Sequence, residues 1–333
     1  MTGNQNIGWA EVLPGHIPGV QVLDRLLAKG WPGPDGAGRF LISDPNADPG
    51  LMAEAALFLP HLTGADAGAA AGRAFLAAEM AADADGVTAR LAFLRSAIRD
   101  VALYGDLILS DPEAFMERAE TFTLFDYSQA RDTSAAAVAA TKPWVDYVST
   151  LTRAEAPALV PLIDIPTESL VLEPGGNSGA FARALIPVIR PLLHVVFDLP
   201  AVCALGEQRG AVPGLTFAPG DMRRDDWRGV AGGAPDVVLF KSVLHDWPLD
   251  DAADILARAR AALAPGGRII IAERGRFAGM TSGTAMDYAN LVFAPFYRDP
   301  QTYIDMLAGM GLSITVTETH IDCGWFVLTA RAA

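Results

Sequence analysis

Apolar residues follow two different periods along the chain, and the change falls near residue 169. Before it, apolar positions recur at helical spacing, which predicts a mainly helical first part. The predicted helices span residues 20–29, 51–62, 67–82, 88–107 and 111–162, the last interrupted near Lys142 and Pro143. A short apolar run at 38–43 resembles the strand of a wing.

After residue 169, short apolar runs rich in β-branched residues alternate with helical patterns. Strands that alternate with helices form βαβ units and a mostly parallel sheet. A terminal hairpin would place one strand antiparallel at or near the sheet edge. We therefore expect an α/β fold with a doubly wound, mostly parallel, seven-stranded sheet. The predicted strands are SLVLE, LLHVVFD, LTFAP, DVVLFK, RIIIAE, SITVTETH and WFVLTAR.

The composition excludes several classes of function. Hydrophobic residues make up 51% of the 333, enough to bury a sizeable core. The net charge of −14 disfavours nucleic acids and anionic membranes as partners. Cys203 and Cys323 are the only cysteines, and the five histidines show no ligand spacing, so we expect no disulfide framework and no metal. The N-terminal residues lack a signal-peptide pattern and no run is long enough to span a membrane, so we expect a cytoplasmic protein.

A glycine-rich turn follows the first predicted strand. In LVLEPGGNSG, residues 170–179, the strand ends in Glu173, and Gly175, Gly176 and Gly179 follow before a helix. The nicotinamide fingerprint fails at two positions, and no G-K-[ST] of a P-loop is present. The remaining pattern, acid-x-G-x-x-x-G, is typical of a site for a methyl donor without phosphate. A purely structural turn between strand and helix is the alternative.

Acidic residues at the ends of the next two strands extend this pattern. Asp198 stands 25 residues after Glu173, where an acid can accept hydrogen bonds from ribose hydroxyls. Asp221 and Met222 follow the third strand and suit an adenine amino group and ring face. The alternatives are an exposed carboxylate at a strand end and an ordinary turn.

Six pieces, LEPGGNSGAF, VVFDLPAV, PGDM, KSVLHDW, LAPGGRIIIAER and the closing hairpin, together resemble one family. It comprises the class I S-adenosylmethionine-dependent small-molecule O-methyltransferases of the caffeic acid and hydroxyindole type, including their bacterial natural-product branch. The resemblance is strong over residues 171–274. It implies a Rossmann-like methyltransferase domain at 106–333, a helical, winged-helix-like dimerisation domain at 1–105, a homodimer, and S-adenosyl-L-methionine as cofactor.

The resemblance also implies roles for individual residues. His245 matches the general base that takes the proton of the acceptor hydroxyl, and Glu273 matches an acid that orients it. An imidazole can assist this proton transfer because its pKa lies near neutrality. A helix-capping or core histidine is the alternative. The implied cofactor site consists of Glu173, Gly175, Gly176, Gly179, Asp198, Leu199, Asp221, Met222 and Lys241.

Three departures from the family pattern leave alternatives open. Asn177 stands at a usual glycine, and Glu173 replaces an aspartate. A second acid supporting the histidine is expected in FAPFYRDPQTY, where Tyr297 or Arg298 stands near the place and Asp299 is the carboxylate close by. Carbon or nitrogen methylation, sulfonium chemistry without methyl transfer, and a non-catalytic binding protein remain alternatives.

The predicted function is methyl transfer to a hydroxyl of an aromatic or polyketide-like small molecule. Aromatic and apolar side chains are expected to line the acceptor pocket, although core packing explains each of them singly. The acceptor would be a small aromatic or apolar molecule. The pocket candidates are Trp144, Tyr147, Met286, Tyr288, Phe293 and Phe296.

Overall fold

The computed structural model describes residues 67–275, 288–321 and 324–332. The helices predicted at 20–29 and 51–62 and the strand predicted at 38–43 lie outside the described residues. The chain divides into two compact units. The first contains the described residues up to Leu124 and those from 288 to Pro295, and the second contains the remainder.

The first unit is helical. Its elements are α1 (Ala67–Ser110), α2 (Pro112–Arg118), α3 (Glu120–Thr123) and α9 (Tyr288–Phe293). Two separate helices, at 67–82 and 88–107, are predicted within α1, and the structure has a kink between them at Asp83, where the backbone is not helical. Phe293 packs against Phe93, with ring centroids 5.9 Å apart, and against Phe122, with centroids 5.5 Å apart.

The second unit contains a seven-stranded sheet of order β3-β2-β1-β4-β5-β7-β6. β7 is antiparallel to both of its neighbours, while the other pairings are parallel. The sequence predictions of a mostly parallel sheet and a terminal hairpin are confirmed. The strands are β1 (Leu170–Pro174), β2 (Leu193–Asp198), β3 (Leu215–Pro219), β4 (Val237–Lys241), β5 (Arg268–Arg274), β6 (Leu312–His320) and β7 (Gly324–Ala332).

Helices of the second unit precede the sheet and connect its strands. The first of them, α4, runs without interruption across Pro143, so the predicted break there is wrong. Proline removes one backbone donor, but burial of the neighbouring Trp144 and Val145 holds the helix in place. The helices are α4 (Ala135–Leu159), α5 (Ala180–Ile189), α6 (Pro200–Gln208), α7 (Trp227–Ala231), α8 (Leu249–Ala262) and α10 (Pro300–Gly309).

The sheet core determines where a ligand can bind. All five residues of β4 are buried, and β1 and β4 are neighbours at the point where the strand order reverses. Ligands of open α/β sheets bind outside the carboxyl ends of the strands at this reversal. Within the described residues, no helix is long and apolar enough to cross a membrane.

Candidate active site

The glycine-rich turn leaves β1 in a left-handed conformation. Gly175 and Gly179 have φ of +70° and +71°, and Asn177 has φ of +54°. Asparagine tolerates this region better than other residues with a side chain, because its amide can bond locally. A Cβ on Gly175 would lie 2.8 Å from Cγ2 of Val243, which follows β4. The turn therefore requires glycine at 175, while Asn177 adopts a left-handed conformation of the kind that glycine favours.

Asp198, at the end of β2, closes this turn from the neighbouring strand. Its Oδ2 accepts a hydrogen bond from the backbone N–H of Asn177 at 2.8 Å, and Oδ1 accepts one from Leu199 N–H at 2.7 Å. The residue is 8% exposed, and burial raises the pKa of its carboxyl to about 6. A carboxylate has about four acceptor positions, so two remain for hydroxyl donors.

Glu173 is paired within the sheet. Its Oε2 lies 2.8 Å from Nε2 of His194, which stands on β2, and both side chains are buried. A Cβ on Gly176 would lie 2.9 Å from Cδ of Glu173, so the turn lies directly over this carboxylate. Sequence reasoning missed His194 as the partner, although a histidine inside the apolar run LLHVVF is a visible signal.

Met222 and Asp221 follow β3, and their side chains have different neighbours. The Cε of Met222 is 3.4 Å from the position of a Cβ on Gly175, so this methionine reaches the glycine turn. The Asp221 carboxylate instead faces arginines, with Oδ2 at 3.5 Å from Arg131 and 3.7 Å from Arg224.

Lys241 binds to α4 through its ammonium group. Its Nζ donates to Thr152 Oγ1 at 3.1 Å and to the carboxylate of Glu155. Arg274, at the end of β5, donates to the same carboxylate and lies 4.5 Å from the ring centroid of Trp325. The structure therefore places Lys241 in a buried ionic network that joins β4 and β5 to α4.

His245 and Glu273 form a close pair at the carboxyl ends of β4 and β5. His245 lies in the short 3₁₀ helix Leu244–Asp246, and its Nδ1 is 2.5 Å from Oε2 of Glu273. The other oxygen, Oε1, accepts backbone N–H bonds from Val243 and Leu244, each at 2.8 Å. Because all of these contacts fix the carboxylate, Glu273 fixes the orientation of the imidazole ring.

The electrostatics of this pair follow from its neighbours. Burial lowers the pKa of His245, but the carboxylates of Glu273 and Asp246 outweigh burial, so the net pKa is raised. For Glu273, burial raises the pKa, but His245 and the backbone donors outweigh it and the net pKa is lowered. The arrangement favours a proton on His245 and a charge on Glu273.

Asp246 provides a second carboxylate beside the imidazole. Its Oδ1 is 3.3 Å from Nε2 of His245, and its Oδ2 accepts a hydrogen bond from the hydroxyl of Tyr127 at 3.0 Å. Sequence reasoning missed both residues. Asp246 could have been found from its place next to His245, but nothing in the sequence connects Tyr127 with a residue so far along the chain.

The segment before α10 does not supply an acid to the imidazole. The ring of Tyr297 meets that of His245 edge to face, with centroids 5.6 Å apart. Asp299 caps α10, since its Oδ1 accepts from the backbone N–H of Gln301 at 2.8 Å. An aromatic side chain therefore lies against the histidine where the resemblance implies a carboxylate.

Two of the predicted pocket residues lie on α4. Trp144 is buried and its ring is 5.4 Å from that of Tyr127, the residue that binds Asp246. Tyr147 is buried and its ring packs against Phe125 at 6.2 Å. Trp144 is thus connected to the histidine through Tyr127 and Asp246, a path of three contacts, whereas Tyr147 packs beside Phe125.

The other pocket candidates are distributed along the chain. Phe293 belongs to the first unit, where it packs against aromatic neighbours, and Phe296 is a partly buried residue of the second unit. Outside the described residues lie Met286 and the side chain of Tyr288.

Comparison with known proteins gives relatives that match part of the chain. Demethylspheroidene O-methyltransferase of Rhodobacter capsulatus is 34% identical over 161 residues, which is 46% of this chain and 38% of that protein. 3-Hydroxy-5-methyl-1-naphthoate 3-O-methyltransferase of Streptomyces sahachiroi is 34% identical over 128 residues, or 38% of this chain and 35% of that protein. The chain therefore matches less than two fifths of the length of these relatives.

Solved structures resemble the fold. Human N-acetylserotonin methyltransferase, solved in complex with SAM, has a TM-score of 0.64 at 16% identity, with 100% of both chains covered. A mitomycin 7-O-methyltransferase has a TM-score of 0.63 at 18% identity, with 97% of this chain and 96% of that chain covered. These likenesses confirm the predicted class I methyltransferase fold.

The family follows from a match that covers more than half of the chain. The family model of the O-methyltransferase domain matches residues 111–312, a range that contains the glycine turn, Asp198, the His245–Glu273 pair and α10. The resemblance inferred from the sequence motifs is confirmed, and the chain belongs to the O-methyltransferase family.

Proposed function

We propose that this protein is an enzyme that transfers a methyl group from S-adenosyl-L-methionine to a hydroxyl of an aromatic or polyketide-like small molecule. The observation that carries the proposal is the His245–Glu273 pair, with Nδ1 and Oε2 only 2.5 Å apart. Val243 links this pair to the glycine turn, since its N–H binds Glu273 and its side chain lies against Gly175. A proton acceptor and a candidate cofactor site are therefore neighbours.

The residues around the glycine turn fit the proposed cofactor. Asp198 keeps two acceptor positions beyond its backbone bonds, which suits the two hydroxyls of a ribose. Met222 lies beside the turn and offers an apolar face for an adenine ring. When bound, S-adenosylmethionine would supply an electrophilic methyl group on a sulfonium. The turn itself needs no phosphate-binding lysine for such a ligand.

His245 would act as the general base. Glu273 accepts the hydrogen bond from Nδ1–H and thereby leaves the lone pair on Nε2, the nitrogen that would take the proton of the acceptor hydroxyl. The negative charge of Glu273 would then stabilise the imidazolium that forms. Because the pKa of His245 is raised, the base is stronger than a free imidazole and better matched to a phenol.

The relatives support the class of acceptor. A protein 34% identical over part of the chain is named for O-methylation of a hydroxynaphthoate, which is an aromatic compound. Trp144 and Tyr127 would contribute aromatic surface near Asp246.

The proposal also includes a homodimer, with a dimerisation region at residues 1–105. Light scattering that gives the mass of one chain at micromolar concentration would contradict the dimer.

The experiment that tests this function compares His245→Ala with the wild type. Turnover of labelled methyl donor with a panel of phenolic acceptors should fall by about 10²–10⁴-fold, the worth of general-base assistance. Cofactor affinity by calorimetry should stay unchanged, and higher pH should partly restore turnover because the phenol then ionises near pH 10. Near-normal turnover with a lower melting temperature would show that His245 is structural and would refute the assignment.

A second candidate keeps the cofactor but changes the reaction. It includes carbon or nitrogen methylation and sulfonium chemistry without methyl transfer. The observation that favours it is Tyr297, whose ring lies against His245 where a supporting acid is expected. The position of the label in the product distinguishes the two reactions. A label found on carbon or nitrogen, or absent from the acceptor, would refute O-methylation and support the second candidate.

A further inference from the structure

The segment that precedes α10 clamps the backbone around His245. Nη1 of Arg298 donates to the carbonyl of Leu244 at 2.6 Å, and Nη2 donates to the carbonyl of Trp247. These carbonyls flank the two residues His245 and Asp246. The arginine therefore fixes the short helix that carries both side chains, in place of a carboxylate directed at the imidazole.

Asp246 is held at its side chain as well. The hydroxyl of Tyr127 donates to Oδ2 at 3.0 Å, which directs Oδ1 toward Nε2 of His245 at 3.3 Å. Tyr127 itself packs against the buried ring of Trp144. The Asp246 side chain is 32% exposed, so solvent reduces its influence on the imidazole until a bound acceptor covers it.

We propose that Asp246, positioned by Tyr127 and the Arg298 clamp, supplies the second carboxylate that supports His245. This inference rests on the proposed function. It assigns the role of the supporting acid, which the segment before α10 does not provide, to the residue adjacent to the base. Asp246 and Tyr127 are positioning residues, because both act on the reaction through His245.

The physical effect of Asp246 is electrostatic. A carboxylate near Nε2 stabilises the imidazolium relative to the neutral ring, in the same direction as Glu273 on the other nitrogen. Among the described residues, the charged groups that act on the ring are Glu273 and Arg274 from β5 and Asp246 from its own helix. Arg298, from the segment before α10, binds the backbone carbonyl of Leu244 beside the ring. Because the base gains a positive charge as the acceptor loses its proton, a nearby carboxylate lowers the barrier.

The test uses Asp246→Asn, which keeps the size of the side chain and an oxygen for Tyr127. The matched control is Asp299→Asn, at an aspartate that caps α10 and does not point to the imidazole. Asparagine also caps helices well, so the control should fold and turn over like the wild type. Two readouts are recorded for each protein: the NMR titration of the His245 ring, and the pH profile of kcat/KM with a phenolic acceptor.

Asp246→Asn should lower the pKa of the His245 ring and move the ascending limb of the profile to lower pH. Its kcat should fall by about 10-fold to 10²-fold, less than the loss of the base itself. Tyr127→Phe should shift both readouts in the same direction by a smaller amount. The Asp299→Asn control should change neither the pKa of the His245 ring nor the pH profile of kcat/KM.

A ring titration that is unchanged in Asp246→Asn, or shifted equally in Asp299→Asn, would overturn the proposal. The titration needs no turnover, so it also separates the two claims. If the wild type transfers no methyl group to any acceptor, the proposed function fails, and the ring titration still decides whether Asp246 acts on His245.

Discussion

Replacing Asp198 by asparagine should change the pH dependence of stability in the cofactor-free protein. The folded environment raises the pKa of this carboxyl from 3.8 to about 6. The folded state therefore binds the proton more tightly than the unfolded state does. Asp198 contributes its stability below about pH 3.8, and this contribution is lost as the pH rises through about 6.

The magnitude follows from the size of the shift. A difference of about 2 pKa units, at 1.36 kcal/mol each, corresponds to about 3 kcal/mol between the protonated and ionised forms. An asparagine side chain does not ionise, so this pH-dependent loss should be absent from the Asp198→Asn variant. The variant also loses one acceptor for the N–H of Asn177 or Leu199, which costs about 1–3 kcal/mol at every pH.

Urea unfolding of both proteins from about pH 4 to about pH 8 separates the two effects. The stability of the wild type minus that of the variant should fall by up to about 3 kcal/mol across this range. Asp299→Asn, an exposed helix cap, serves as a control that should follow the wild type. If the stability difference between the two proteins is constant with pH, the folded state does not raise the pKa of Asp198, and the reasoning is refuted.

Calorimetry should show that wild-type cofactor affinity weakens below about pH 6, where the carboxylate of Asp198 is lost.

Two further substitutions test the packing around the site. Gly175→Ala should be destabilised by more than Gly232→Ala, because both have positive φ but only at 175 would the new Cβ meet a neighbour, at 2.8 Å. The common backbone strain is about 1–2 kcal/mol, and equal losses in urea unfolding would contradict the close approach of Val243 to this glycine. Glu155→Gln should cost about 3–5 kcal/mol, because Lys241 and Arg274 remain buried without their shared carboxylate. Asp164→Asn, which breaks exposed ion pairs, should cost less than about 1 kcal/mol, and similar losses in the two variants would refute the buried network.

The central strands β1, β2, β4 and β5 could be predicted because each is a short apolar run between turn residues, and burial on both faces of a sheet demands such runs. Pro143 shows where local rules are insufficient. Proline disfavours a helix interior, yet packing of α4 outweighs this preference, and tertiary contacts are not visible in a local pattern. The kink at Asp83 lies between the two helices predicted at 67–82 and 88–107, because the apolar spacing itself changes there.

The site was predicted as a set of strand ends, and the structure adds which side chains meet. Spacing along the chain indicated Asp198, because parallel strands bring their carboxyl ends to one edge, whereas His245 was indicated by the family resemblance of its motif. It could not indicate that Lys241 binds Glu155 on α4, since that pair depends on how a distant helix packs on the sheet. The same holds for Tyr127 and Asp246, which are 119 positions apart.

Asp198 and Glu273, the acids at this edge of the sheet, differ in the direction of their pKa shift. The difference bears on which of them could bind a ligand and which could support proton transfer. Within the described residues, Asp198 accepts hydrogen bonds from backbone N–H groups alone and its pKa is raised, so its charge is costly until a ligand donates further hydrogen bonds. Glu273 is hydrogen-bonded to His245 and to two backbone N–H groups and its pKa is lowered, so its charge is stabilised before any ligand arrives. Under the proposed function, the carboxylate of Asp198 beside the glycine turn would be available to hold a ligand, and that of Glu273 would orient the base. The two proposed roles would thus have distinct physical causes in this chain.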